Sequence, residues 1–250
     1  MRTRREREWY AISLRPQGQH RALRDAVARA GGHLLAMSPL RIVAMADAQT
    51  RSRLVDALEC PMCVFTSPNA VVCAARLQAL ATTHAIAVGS GTATSLHRRG
   101  VINVAAPKRM DSEGVLDLPM LRDVSGQRIG LVSGAGGRGL IERTLHERGA
   151  DVLRADVYRR DMADFSPAVL RKFDAMPADA VLFVTSAEAL DAALGQLDPS
   201  RRSRMISLPV VTASERLRDV CAQKGFRETR VAASARPQDL VRAAHRTPIR

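Results

Sequence analysis

Tyr158 stands in the run Asp156-Val157-Tyr158-Arg159-Arg160 and is one of only two tyrosines in the chain. A phenol among charged residues can donate a hydrogen bond, or a proton to a departing group. Packing of the ring is the other role open to it, and spacing alone does not separate the two. Two further stretches share one pattern: Phe65-Thr66-Ser67-Pro68-Asn69-Ala70-Val71 and Val184-Thr185-Ser186-Ala187-Glu188-Ala189-Leu190. Each ends an apolar run and opens a helix, so Ser67 and Ser186 sit at helix N-termini that cap amides and attract anions. Ser133-Gly134-Ala135-Gly136-Gly137-Arg138 follows another apolar run. Its bare amides and the Arg138 guanidinium suit a carboxylate or a phosphate; a tight turn with no ligand is the alternative. Gly134, Gly136 and Gly139 stand at GxGxxG spacing, but the acidic residue such a loop wants about 20 positions on at a strand end is met only by Asp156, in the crossing segment, so the loop is not read as a dinucleotide fingerprint. Arg15, in the turn Arg15-Pro16-Gln17-Gly18, and Ser214, ahead of a late helix, complete the candidate anion-binding set.

Other chemistries find no support. No Ser-His-Asp order and no carboxylate pair stands out, and the six histidines (His20, His33, His84, His97, His146, His245) read as surface or structural. Cys60-Pro61-Met62-Cys63 precedes a strand, whereas a redox pair follows one and starts a helix. No second CxxC or paired His completes a zinc site. The four cysteines, with Cys73 and Cys221, read as inert thiols, and neither metal nor organic cofactor is expected.

The elements that must position these residues follow from periodicity. Trp9 to Leu14, His33 to Met37, Cys63 to Thr66, Ala85 to Val88, Ile102 to Ala105, Ile129 to Val132, Ala180 to Thr185, Pro209 to Thr212 and Thr229 to Ala232 read as strands. Helices are predicted at His20 to Ala30, around Leu54 to Leu58, after Ser67, after Gly89-Ser90-Gly91-Thr92, after Ser112 as cap, and at Leu140 to Arg148. Three more are predicted at Ser186 to Leu194, Ser214 to Lys224 and Pro237 to Ala244. Strands alternating with helices of about ten residues imply βαβ units and parallel sheets. Ligands of such sheets sit beyond the carboxyl ends of the strands, where the turns above lie.

The chain also repeats itself out of register. Val104 to Leu116 is echoed by Val231 to Val241, and the two Thr-Ser turns echo each other, but Leu23 to Gly31 pairs with Ile141 to Gly149 in the opposite order. That pattern implies an α/β protein of two similar lobes, parallel sheets flanked by helices, one lobe inserted in the other. The expected lobes are residues 1–38 plus 161–250 and residues 41–156, with linkers at 38–41 and 156–161. Two crossings make a hinge, and a hinge between lobes makes a cleft. At 250 residues the chain accommodates two such lobes.

Net charge is +13, yet lysine occurs only at Lys108, Lys172 and Lys224. An arginine-biased composition accounts for this; so does a polyanionic ligand drawn to a cleft of one sign. Aromatics make up 3% of the residues, too few for single-strand stacking platforms, so nucleic acid is not the expected partner. No apolar run reaches the ~20 residues of a membrane span, and no signal peptide is evident. A cytoplasmic monomer is expected.

Seven segments in order, VFTSPNAV (64–71), AVGSGTATSL (87–96), DSEGVLDL (111–118), SGAGGRGLIERTLHERGADV (133–152), VYRR (157–160), FVTSAEAL (183–190) and SERL (214–217), resemble the uroporphyrinogen-III synthase family. The resemblance runs from about Trp9 to Ala244. It implies two α/β lobes joined by a two-stranded linker, hydroxymethylbilane as substrate and uroporphyrinogen III as product, with loss of water, inversion of ring D and no cofactor. Carried over residue by residue, it implies site roles for Ser67, Thr92, Tyr158 and Ser186, with Tyr158 assisting departure of the hydroxyl. The chain departs from the family at one turn. Relatives carry Gly-x-x-Thr in both lobes; Gly89 to Thr92 keeps it, but the second copy reads Ser214-Glu215-Arg216-Leu217, with Ser214 or Thr212 left to compensate. Two other readings of the same residues are a non-catalytic bilobal protein binding a polyanionic metabolite and a nucleic-acid-binding protein.

Overall fold

Glycine, proline and small capping residues punctuate the apolar runs, and strands and helices alternate between them. The computed structural model describes residues 8–82, 84–136 and 139–245. In chain order these form β1 (Trp9–Ser13), α1 (Arg21–Arg29), β2 (Gly32–Ala36), β3 (Leu40–Ala44), α2 (Ala48–Leu58), β4 (Met62–Phe65), α3 (Pro68–Leu77), β5 (His84–Ala87), α4 (Ser90–His97), β6 (Val104–Ala105) and α5 (Ser112–Leu116). They continue with β7 (Arg128–Gly134), α6 (Leu140–Glu147), β8 (Asp151–Met162), α7 (Pro167–Asp174), β9 (Val181–Val184), α8 (Ala187–Gln196), α9 (Pro199–Ile206), β10 (Val210–Thr212), α10 (Glu215–Gln223), β11 (Thr229–Val231) and α11 (Pro237–His245).

The predicted caps at Ser67 and Ser186 form, and Ser214 caps its helix in the same way: each side chain accepts the N–H three residues on, from Ala70, Ala189 and Leu217. The cap expected at Ser112 is instead Asp111, whose carboxylate accepts from Gly114 N at 2.7 Å and from Arg109 Nε at 2.9 Å. A charged acceptor with two donors outcompetes the neighbouring hydroxyl. The edge strand β3 and the helices α7 and α9 lie where no element is predicted.

Contacts divide the chain into two units. The first runs to Arg41 and resumes at Asp161; the second is Ile42–Arg160. The chain leaves the first unit along β3 and returns along β8, two strands that are neighbours. The first unit holds a parallel sheet in the order β11-β10-β9-β1-β2, and the second a sheet in the order β6-β5-β4-β7-β8-β3. In the two orders β9 takes the place of β4, β1 that of β7 and β2 that of β8. The crossed echo in the sequence follows from this correspondence: β1-α1-β2 opens its unit, whereas β7-α6-β8 closes the other.

Both sheets are buried on both faces, as parallel sheets require. Alternation sends Ile12, Leu182 and Val184 into one core of the first unit, with Phe173 and Leu190 from the covering helices. Ala11, Val181 and Phe183 face the other core, with Leu23 and Leu240. In the second unit Phe65, Val132 and Val157 share one core, and Val64, Ile129 and Leu131 the other.

In each sheet the chain winds outward in both directions from one pair of strands. Those pairs are β1 with β9 and β4 with β7. The crevice beyond the carboxyl ends of such a pair is where ligands of open α/β sheets bind. The turns after β1 and β9 carry Arg15 and Ser186; those after β4 and β7 carry Ser67 and the glycine loop.

Candidate active site

In the second unit, Thr66 and Ser133 close the crevice floor with a hydroxyl–hydroxyl bond of 2.9 Å between the ends of β4 and β7. Tyr158 reaches the same place from β8. It is paired in the sheet, opposite Gly134, across a register shift after Ser133↔Asp156. The extra residue breaks the period-two alternation, so Val157 and Tyr158 both turn inward. Bulges re-aim side chains in this way beside functional sites. The ring then lies against Gly134, where a Cβ would stand 2.4 Å from Tyr158 Cζ. Glycine is therefore required there for space.

The phenol oxygen of Tyr158 is 3.1 Å from Ser67 Oγ and receives Arg160 Nη1 at 3.2 Å. The Arg160 guanidinium also stands over the phenol ring, 5.6 Å from its centroid, and its Nη2 donates to Ala135 O at 3.2 Å. The Tyr158 side chain is buried, 4% exposed. Arg154 fastens the other side of the loop: it pairs with Glu142 and Asp156 and donates to Gly134 O and Gly136 O. Ala135 N donates to Tyr158 O at 2.7 Å. The loop thus presents carbonyls to two arginines at 134–136. Arg138 lies outside the described residues. Thr92 is buried in the first turn of α4, beyond β5 and off the crevice between β4 and β7.

The first unit places Arg15 just after β1. Its Nη2 donates to Ala235 O at 2.8 Å, its Nε is buried with no hydrogen-bond partner among the described residues, and burial holds it below the usual guanidinium range. Ser186 Oγ caps α8 across the β1–β9 crevice. Ser214 caps α10, while Thr212 is fully buried and donates to backbone carbonyls of Ser214 and Arg230. Leu217 fills the core of this unit.

Sequence reasoning missed three participants. Arg160 carries no signal beyond its distance from Tyr158, and Gly134 none beyond membership of a glycine loop. His20, taken as one histidine among six, is buried and borders a cavity of about 410 Å³ with Arg21, Arg24, Ser38 and Asp164. Its ring nitrogens meet Ser13 Oγ at 3.1 Å and Ser38 Oγ at 2.6 Å. Burial, then the charges of Arg24 and Arg15, push its pKa down from 6.5 to about 4. Among the described residues no group of three or more His, Cys, Asp or Glu could hold a metal ion, and no helix is long and apolar enough to cross a membrane.

Two doubly wound α/β units of permuted but equivalent topology, with hydroxyls and guanidinium groups at their winding points, define the class of protein. The profile of the uroporphyrinogen-III synthase HemD family matches residues 21–242, and the chain belongs to that family. It is 32% identical over 160 residues to the uroporphyrinogen-III synthase of Salmonella typhimurium and 33% identical over 161 residues to that of Escherichia coli. Each match covers 63% of this chain and 65% of the relative's length. Among solved structures, a mutant uroporphyrinogen III synthase from the extremely thermophilic bacterium Thermus thermophilus superposes with a TM-score of 0.62 at 16% identity, covering 94% of this chain and 96% of that one. The uroporphyrinogen-III synthetase of Helicobacter pylori gives 0.63 at 13% identity, covering 94% and 98%. These two likenesses establish the shared fold.

Proposed function

We propose that this protein converts hydroxymethylbilane, a linear tetrapyrrole, to uroporphyrinogen III. The observation that carries the reading is the phenol of Tyr158 held by Ser67 and Arg160 beside the β4–β7 crevice, in a chain of this family. The terminal hydroxyl of the substrate is poised to leave because an electron-rich pyrrole stabilises the cation left behind. Mild acid help is enough, and a phenol supplies it. The azafulvenium so formed is attacked by the ring D carbon that already bears the chain. The spiro intermediate fragments and recloses at the other side of ring D. The protein's larger task is positioning: it must disfavour direct closure, which yields the uninverted isomer I.

Carboxylates along the substrate need cations and donors. In our reading Arg15, whose Nε is buried without a hydrogen-bond partner among the described residues, and the capping hydroxyls of Ser186 and Ser214 are candidates for that role in the first unit. Ser67 serves in the second unit. Thr92 sits one strand away from the crevice and acts through packing of α4. The substitution at Leu217 leaves no hydroxyl at that turn, and Thr212 does not replace it, since its hydroxyl bonds carbonyls within the unit.

The test is direct. Purified protein is supplied with hydroxymethylbilane, and the product is oxidised and resolved into porphyrin isomers. Isomer III as the main product supports the reading. Isomer I alone, at the rate seen without protein, overturns it; binding without conversion would leave a polyanion-binding protein.

A further inference from the structure

We infer that Arg160 is the positioning residue that makes Tyr158 an acid, by holding the charge that appears on the phenol oxygen when its proton leaves. This inference rests on the proposed reaction. Three observations carry it. Arg160 donates Nη1–H to the phenol oxygen at 3.2 Å. Its guanidinium is anchored by a second bond to Ala135 O and lies over the ring. Ser67 Oγ, which accepts Ala70 N–H at 3.1 Å, meets the phenol oxygen at 3.1 Å, a contact in which either hydroxyl can donate.

A guanidinium has five donors and no acceptor. It therefore cannot take the phenol proton, and its interaction with the oxygen strengthens as that oxygen becomes negative. Arg160 is the fixed donor to the phenol oxygen; when Ser67 rotates to donate as well, the phenol hydrogen is left for the substrate. In the first step the phenol O–H bond breaks and its proton goes to the hydroxyl oxygen of the substrate. The carbon–oxygen bond breaks with its electron pair on the departing water. The pyrrole nitrogen supplies electrons to the exocyclic carbon, and the phenolate remains facing Arg160 and Ser67. When ring D is reattached through the carbon bearing hydrogen, that hydrogen leaves as a proton and returns to the phenolate. One water is lost in all. Preorganised donors aimed at a developing oxyanion are worth about 10²–10³-fold in turnover; a labile leaving group places the effect here at roughly ten- to a hundredfold.

The experiment is a double-mutant cycle between Arg160→Gln and Tyr158→Phe, with Arg160→Lys as a charge-retaining variant. Isomer ratio, kcat and KM are measured on full-length protein, and unfolding curves confirm that each variant is folded. Arg160→Gln is expected to lower kcat by roughly ten- to a hundredfold, following the donor loss above, with little change in KM. Arg160→Lys should recover most of that loss. In the Tyr158→Phe background Arg160→Gln should cost less than about twofold, because the oxygen it serves is gone. Losses that multiply, or a raised KM with kcat intact, would show that Arg160 meets the substrate itself and would overturn the inference while the proposed function stands. If Arg160→Gln does not fold, Arg160→Met runs the same cycle with the apolar stem kept. A wild-type protein that makes no isomer III sinks the proposed function and this inference together.

Discussion

Tyr158 Oη and Ser67 Oγ lie 3.1 Å apart although 91 positions separate them in the chain. Ser67 is fixed by its own helix, since its oxygen caps α3 through Ala70 N. Tyr158 is fixed by the sheet and by the backbone of Gly134 beneath its ring. The pair therefore joins two rigid elements, and each member can be removed without touching the other's support.

Tyr158→Phe removes only the oxygen. The fold should persist, and turnover should fall toward the low end of the ~10²–10⁴-fold range for a positioned acid. Because free hydroxymethylbilane closes slowly by itself to isomer I, the slowed variant should yield a mixture whose isomer I fraction grows as enzyme is diluted. Pure isomer III at the wild-type rate would reduce Tyr158 to a packing residue.

Ser67→Ala separates capping from chemistry. Loss of the cap should destabilise by about 1 kcal/mol, read in a urea titration. Ser67→Asn or Ser67→Asp restores a cap but not the hydroxyl that meets Tyr158 Oη. If turnover recovers along with stability in these variants, the hydroxyl has no part beyond the cap.

Much of this framework was legible in the residues. The positions of nine strands followed from apolar runs and glycine stops, and the capping roles of Ser67 and Ser186 from Thr-Ser turns ahead of helices. The crossed echo between Leu23–Gly31 and Ile141–Gly149 marks α1 and α6, which follow the equivalent strands β1 and β7. What was not legible depends on three dimensions. β8 was read, from the crossed repeat, only as the place where the chain passes between lobes, and its strand character was not legible because Arg154, Asp156, Arg159 and Arg160 interrupt the apolar pattern; Arg154 and Asp156 pair with each other. The bulge that turns Tyr158 inward has no sequence signature, since it arises from the register of β7 against β8. His20 gave no sign of burial, because its partners come from elsewhere in the chain, Ser13 at the end of β1 and Ser38 just after β2.

Two glycines make opposite predictions. A Cβ at Gly134 would meet the Tyr158 ring at 2.4 Å, so Gly134→Ala should cost about 1–3 kcal/mol as overpacking does. It should also displace the phenol and raise the isomer I fraction as Tyr158→Phe does. Gly195, within α8, has open space where a methyl group would stand, with nothing inside 4 Å. Gly195→Ala should stabilise by up to about 1 kcal/mol through backbone entropy alone and leave the isomer ratio unchanged. Thermal unfolding and product analysis on both variants check the pair; a Gly134→Ala protein with wild-type stability and product would show that the ring is not held against that backbone.

The four thiols are expected to be unreactive while the protein is folded. All are buried and free, burial raises each of them, and Cys221 is pushed up to about 11. The thiolate is the reactive form, so neutral pH leaves little of it. A chromogenic disulfide reagent should titrate none of them quickly in the native protein and all four in denaturant. A fast native reaction at Cys60 or Cys63 would instead mark the CxxC as redox-active.

His20 makes acid stability the last prediction. Burial, Arg24 and Arg15 hold its folded-state pKa at about 4 against an ordinary 6.5; Asp164 is the carboxylate bordering the same cavity. The folded state thus favours the neutral ring, and between those two values the unfolded chain binds more protons. Stability from this group is full above about pH 6.5, declines as pH falls through the window and is gone below about 4. One pKa unit is worth about 1.4 kcal/mol, so the full effect is roughly 3 kcal/mol. His20→Gln keeps a hydrogen-bonding group between Ser13 and Ser38 but cannot titrate. It should be somewhat less stable than wild type near neutrality and lose less between pH 6.5 and 4, so that the two curves converge or cross. Urea midpoints across that range measure it. Parallel curves for wild type and variant would mean that His20 titrates alike in folded and unfolded chains, and that the cavity beside Arg21 and Arg24 does not hold the ring neutral.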